Sequence, residues 1–220
     1  MPDYNQIEFL KNNINYIKEP IIIIGSKEYD FDNYNFKIEL NKLGQNDITG
    51  IDIQDGSGVD IVLDICDDQN KYFEKYLNFY NTIICMQMLY SVDNPFKAAD
   101  NIYRLMNKNS TLLFSDVFVH RIHRIPTDYW RFSYDAHKKL FYKLNFDDAK
   151  VRIGITRKNK LINFKYPLPE LSKFNRNIGE SLMGFISRKF IYRLNPNSLL
   201  NISRLLPEIS IFSIAKKNNI

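Results

Sequence analysis

Only two cysteines, Cys66 and Cys85, occur in 220 residues, too few and too far apart for a disulfide framework or a thiolate zinc site. They read as small apolar side chains in a reducing compartment. Long hydrophobic runs are missing too. The longest, Ile21 to Ile24, falls far short of the ~20 residues a membrane helix needs. The first ten residues, MPDYNQIEFL, lack the basic and apolar regions of a signal peptide. These absences predict a cytoplasmic protein without a transmembrane segment. With eight glycines, eight prolines and 45% hydrophobic residues, the chain is neither collagen-like nor disordered. Its length suits one domain over residues 1–220.

What is present is unevenly charged. Residues 1–150 hold 17 Lys+Arg against 22 Asp+Glu, a net −5, whereas residues 151–220 hold 13 against 3, a net +10. The basic third carries no Arg/Lys block interleaved with aromatics, so nucleic acid is not an expected partner.

Apolar spacing predicts a helix over Tyr4 to Lys18, then the buried strand Ile21–Ile24 ending at Gly25. A short helix over Phe36 to Leu43 leads to strands Ile48–Ile53 and Val59–Ile65. Then come a helix at Asn70–Leu77, a strand at Thr82–Leu89, a helix at Pro95–Met106 and a strand at Ser110–Phe118. A helix at Tyr134–Leu144 and strands at Ala149–Ile155 and Ile209–Ala215 follow, with residues 160–207 between them as a helical insertion or lid. Strands alternating with helices predict an α/β, Rossmann-like doubly wound parallel sheet of about seven strands.

Ligands of such sheets bind beyond the carboxyl ends of the strands, so the strand-end residues are the candidates. Gly25, followed by Ser26, would let backbone amides approach a ligand. Asp52, followed by Ile53, offers a carboxylate to both hydroxyls of a ribose, and Asp64, followed by Ile65, lies where an adenine amino group would sit. No G-x-G-x-x-G fingerprint or P-loop is present: after Gly25 the chain reads SKEYDF, too bulky and acidic to cradle a pyrophosphate. A cofactor containing adenosine but no phosphate fits better than NAD.

The stretch IIIIGS…GIDIQDGSGVDIVLDICD…YNTIICMQMLYSVDNPFKAADNIYRLMNKNSTLLFSDVF…HRIPTDYWRFS resembles the class I S-adenosylmethionine-dependent methyltransferases. More narrowly it resembles the small bacterial and archaeal enzymes whose loop after strand five reads P-x-D-Y-W-R-F, here Pro126 to Phe132. The resemblance implies S-adenosylmethionine as cofactor and a sheet ending in an antiparallel hairpin. Three departures stand out. The glycine-rich first motif is reduced to Gly25. The acid that usually ends strand four is Gln87, in the cofactor site, and the Leu-Glu-His-Val run after it is Leu89-Tyr90-Ser91-Val92. The Asp that usually opens that strand is Asn81.

The loop after strand five supplies the acceptor candidates. Methyl transfer to a hydroxyl needs a group that removes its proton, and His120 or His123 suits that, with Asp116 or Asp128 as orienting partner. Trp130 and Phe132 are expected in the core. His-x-x-His without a third ligand nearby gives no reason to expect a metal. Six basic residues lie between Lys173 and Arg204 beside only Glu180, which favours an anionic acceptor or an anionic surface presenting it. The expected activity is O-methylation of a small or glycan-type acceptor, phosphorylated or carrier-linked. The alternative is a cofactor-binding partner protein without turnover.

Overall fold

The computed structural model describes residues 2–30, 32–120, 127–156, 159–163, 166, 181–191 and 208–218, without the side chains of residues 188 and 191. Four isoleucines form β1 (Ile21–Ile24), the centre of the sheet. Because successive side chains of a strand point to opposite faces, Ile22 and Ile24 enter one hydrophobic cluster while Ile21 and Ile23 enter another. A strand buried on both faces in this way has to carry an unbroken apolar run. Parallel neighbours flank it: β2 (Ile48–Asp52) on one side and β4 (Tyr80–Met86) on the other. Beyond β2 lies β3 (Ile61–Val62), and beyond β4 lies β5 (Met106–Val119), both parallel to their neighbours.

The remaining strands reverse direction. The last, β9 (Ile209–Lys216), runs antiparallel to β5, with β7 (Arg152–Ile155) antiparallel on its other side. The sheet order is β3-β2-β1-β4-β5-β9-β7-β8, and the two-residue β6 (Asn145–Phe146) also pairs with β9. Helices cover both faces. Against Ile22 and Ile24 pack α3 (Lys71–Lys75), α4 (Pro95–Leu105) and α5 (Tyr134–Leu140), through Phe73, Ile102 and Leu140. The opposite face packs under α1 (Tyr4–Asn12) and α2 (Phe36–Lys42), through Ile7, Leu10 and Leu40.

The expected architecture holds, and the differences have local causes. Among the described residues the sheet has nine strands, where about seven are expected. The start of the expected helical insertion, Lys160–Asn163, is β8, which pairs antiparallel with β7 and extends the sheet edge. Of the remaining insertion, residues 164–165, 167–180 and 192–207 lie outside the described residues. Between them lies the helix α6 (Leu182–Ile191). The first helix stops at Asn12, because the Asn13 side chain donates to the Phe9 carbonyl at 2.8 Å and the chain continues as a short 3-10 turn.

Glycines concentrate where β1 and β2 diverge. A Cβ added to Gly50 would lie 2.2 Å from the Gly58 carbonyl oxygen and 2.7 Å from Ser26 Oγ. Backbone cannot yield there without pulling the strand ends apart. Gly50→Ala is therefore expected to lower the unfolding free energy by about 1–3 kcal/mol, read as a reduced urea midpoint at unchanged slope. A midpoint equal to wild type would show that the junction relaxes freely.

Candidate active site

The carboxyl ends of β1, β2, β4 and β5 open into one cavity of about 1310 Å³. Single small-molecule pockets run ~300–1,000 Å³, so this one has room for a cofactor and an acceptor together. Its wall includes Gly25, Asp52, Ile53, Asp64, Ile65, Gln87 and His120. The structure thus brings six of the seven expected cofactor residues, and one expected histidine, to a common space.

At the first strand end, Gly25 has φ +75°, and a Cβ there would come 2.6 Å from Met88 Cγ. Its amide does not face a ligand as expected. The Gly25 and Ser26 amides both donate to the Ile51 carbonyl, at 2.9 and 3.0 Å. The contribution of Gly25 is the volume its missing side chain leaves. Ser26 is buried behind the wall, packed against Gly50 and Gly58. Asp52 accepts the Lys27 amide on Oδ2 at 3.1 Å and the Gln54 amide on Oδ1 at 3.0 Å. Each of its oxygens keeps further accepting capacity. Ile53 beside it is exposed, and Asp64 accepts the Cys66 amide at 2.8 Å. Gln87 adopts φ +51° and reaches past β5 to donate to Ser210 Oγ at 3.0 Å, joining the floor of the cavity across three strands.

Two sequence motifs form a single unit at the other end. The turn Leu89–Ser91 and Val92 are held by the residues of the D-Y-W-R-F loop. The amides of Tyr129 and Trp130 both donate to the Tyr90 carbonyl at 3.0 Å. Thr127 Oγ1 donates to the Ser91 carbonyl, and Trp130 Nε1 to the Val92 carbonyl, each at 2.8 Å. Asp128 pairs with Arg131, bracing the loop. Phe132 is in the core as expected, but Trp130 is 39% exposed, because its indole clamps Val92 at the surface.

Asp116 lies wholly buried beneath this unit. It accepts the Tyr90 amide at 3.0 Å and the Val117 amide at 2.8 Å. Burial pushes its carboxyl up to about 7, against the lowering effect of those amides and of Arg131. Neither Asp116 nor Asp128 lines the cavity. The carboxylate near His120 is instead Glu208, with Oε1 3.8 Å from His120 Nε2 and both residues in the wall. His123 lies outside the described residues. Sequence reasoning missed Glu208, although the antiparallel direction of β9 carried the signal: the residue preceding such a strand sits at the carboxyl edge of its parallel neighbours. It also missed Asp3, which caps α1 through the Gln6 amide, accepts Thr156 Oγ1 at 3.1 Å and lines the cavity.

The wall is acidic. Asp3, Asp32, Asp52, Asp64, Asp93 and Glu208 face Lys27 as the one lysine or arginine among the described lining residues. Asp32 Oδ1 is buried without a hydrogen-bond partner among the described residues. Burial and the Asp52 and Asp32 carboxylates push the nearby Tyr29 hydroxyl up. Such a field favours a ligand bearing positive charge. Among the described residues, no group of three His, Cys, Asp or Glu side chains could hold a metal ion.

Comparison with known proteins bears on the family and the fold. A family model described as Methyltransferase domain matches residues 32–149, more than half of the chain. A SAM-dependent methyltransferase from Archaeoglobus fulgidus is 17% identical over 96% of this chain and 92% of its own, with TM-score 0.51. A putative methyltransferase from Bacillus halodurans is 10% identical over 97% and 99%, with TM-score 0.56. A Haemonchus contortus phosphoethanolamine N-methyltransferase 2, solved with phosphomonomethylethanolamine and S-adenosylhomocysteine, is 12% identical over 98% and 53%, with TM-score 0.53. At these identities the likeness is one of fold. A search of curated protein sequences found no match.

Proposed function

We propose that this chain, which belongs to the methyltransferase-domain family and takes S-adenosylmethionine as its methyl donor, methylates a hydroxyl oxygen of a small or glycan-type acceptor, with His120 removing the proton. The observation that carries the reading is the shared cavity, with strand-end carboxylates at one end and the His120–Glu208 pair at the other.

The residues fit the donor. Asp52 suits a ribose, and the apolar Ile53 and Ile65 with Asp64 suit an adenine. Asp32 Oδ1, unpartnered among the described residues, suits the ammonium of the methionine part. Bound there, S-adenosylmethionine supplies a methyl group made electrophilic by the sulfonium. The acidic wall favours that positive charge. At the acceptor end, His120 takes the hydroxyl proton, while Glu208 orients the ring and stabilises the imidazolium that forms. Asp116 acts as a positioning residue: it holds the Tyr90 amide, and with the D-Y-W-R-F loop keeps residues 89–92 in the cavity wall. Carboxylates at this end disfavour an anionic group on the acceptor. The acceptor in this reading is therefore uncharged where it meets the wall, and the positive charge of residues 151–220 calls for another explanation.

Calorimetric titration with S-adenosylmethionine, S-adenosylhomocysteine and NAD tests the cofactor, and tight binding of NAD alone would refute the reading. Asp52→Ala is expected to weaken S-adenosylhomocysteine binding by about 1.5–3 kcal/mol, roughly 10- to 150-fold, since a charged hydrogen-bond partner is lost. A folded variant that binds as tightly as wild type would remove Asp52 from the site.

A further inference from the structure

The helix α6 (Leu182–Ile191) has an apolar face that joins no hydrophobic cluster among the described residues. Leu182, Met183, Ile186 and Phe190 are each more than half exposed. On an α-helix they fall within an arc of about 100°, a single stripe along its length. Other exposed large apolar residues on the described helices and strands include Ile38 on α2, Val62 on β3, Phe96 on α4 and Phe118 on β5.

Charge selects the occupant of that stripe. The helix carries Arg188 and Lys189 and no acid, and residues 151–220 hold 13 Lys+Arg against 3 Asp+Glu. Lys189 is exposed, and its Nζ lies 4.5 Å from the Phe185 ring centre, beside the apolar stripe. A second copy of the chain would bring like charge against like. An anionic lipid surface offers an apolar layer for the stripe and negative headgroups for Lys189 beside it. At about 15 Å, a ten-residue helix can lie on a bilayer but not cross its ~30 Å core. Among the described residues, no helix is long and apolar enough to cross a membrane.

We propose that α6 docks the protein on an anionic lipid surface, with Leu182, Met183, Ile186 and Phe190 seated among the acyl chains nearest the headgroups and Lys189 against those headgroups. The basic charge of α6 then serves this surface and not the cavity. Anionic lipid is concentrated in the cytoplasmic leaflet, in keeping with the location expected from the sequence. The proposal stands apart from the methylation reading and is read without any acceptor.

The test is co-sedimentation of the full chain with vesicles of phosphatidylcholine alone, and of phosphatidylcholine and phosphatidylglycerol in equal parts. Wild type is expected to sediment with the anionic vesicles only. It should be released as salt rises from about 0.1 M to about 1 M, which shortens the Debye length from ~10 to ~3 Å. Ile186→Asp combined with Phe190→Asp replaces two exposed side chains, so thermal stability and S-adenosylhomocysteine affinity should stay unchanged while binding falls at least about tenfold. Lys189→Glu should weaken binding to anionic vesicles. Wild type left in the supernatant, equal binding to both vesicle types, or a double variant that binds as well as wild type would each overturn the proposal. So would a wild-type dimer that the double variant dissolves while neither protein sediments with vesicles.

Discussion

Replacing His120 by alanine is expected to slow methyl transfer roughly 10²–10⁴-fold, the usual contribution of a positioned proton acceptor, while leaving S-adenosylhomocysteine affinity unchanged. The split follows from the layout of the cavity. His120 sits with Glu208 at the start of β9, whereas the strand-end carboxylates Asp52 and Asp64 belong to the β2–β3 end. Glu208→Gln keeps the shape and removes the charge that would stabilise the imidazolium, so it should slow transfer by less than the histidine change does. The measurement is single-turnover methylation of a hydroxyl acceptor identified by screening with labelled donor, alongside calorimetry with S-adenosylhomocysteine. Near-normal turnover in His120→Ala would remove His120 as base. Loss of cofactor affinity in step with turnover would mean that it supports the donor end instead.

The parallel half of the fold was legible because its strands are short, apolar and separated by helical patterns. Ile21–Ile24 could be placed at the centre from its four β-branched residues alone, and Asp52 and Asp64, singled out at the ends of β2 and β3, lie in the cavity wall. The antiparallel half was less legible. β8 has only four residues, two of them partly buried and two exposed, which leaves too little alternation to separate it from a loop. The acidic candidates of the acceptor loop show a deeper limit. Asp116 and Asp128 stand beside the candidate histidines in sequence, yet one turns inward to hold the Tyr90 amide and the other pairs with Arg131. The partner that does meet His120 is Glu208, 88 positions away and brought there by the β5–β9 pairing. Spacing along a chain cannot reveal such a pair, but the direction of the last strand could have suggested it.

Two buried groups give the protein opposed responses to pH. Asp116 is fully buried and its carboxyl is pushed up to about 7, chiefly by desolvation. In the unfolded chain it would titrate near 3.8, so the native state holds its proton more tightly. Its stabilising effect is therefore full below about pH 3.8 and is lost as pH rises through about 7. His137 is also fully buried, against Phe114, with Nδ1 3.0 Å from Ser213 Oγ, and burial drives its imidazole down to about 3 from 6.5. Its effect has the opposite sign: full above about pH 6.5, and lost as pH falls through about 3. Each shift spans about three units or slightly more, on the order of 4 kcal/mol at 1.36 kcal/mol per unit, and the two slopes nearly cancel between about pH 4 and 6.5. Removing either group should expose the other. Asp116→Asn loses an accepting oxygen and with it an amide contact, which lowers stability at acid pH by about 1–3 kcal/mol. Stability of that variant should then climb by a few kcal/mol as pH rises from about 4 to 6.5, the slope left by His137. His137→Gln should show the reverse slope. Urea unfolding at several pH values reads both, and comparison with wild type cancels the carboxylates common to all three proteins, Asp3 among them. An Asp116→Asn protein whose stability follows the wild-type pH curve would mean that Asp116 is already ionised in the native state, held by Arg131 and the Tyr90 and Val117 amides.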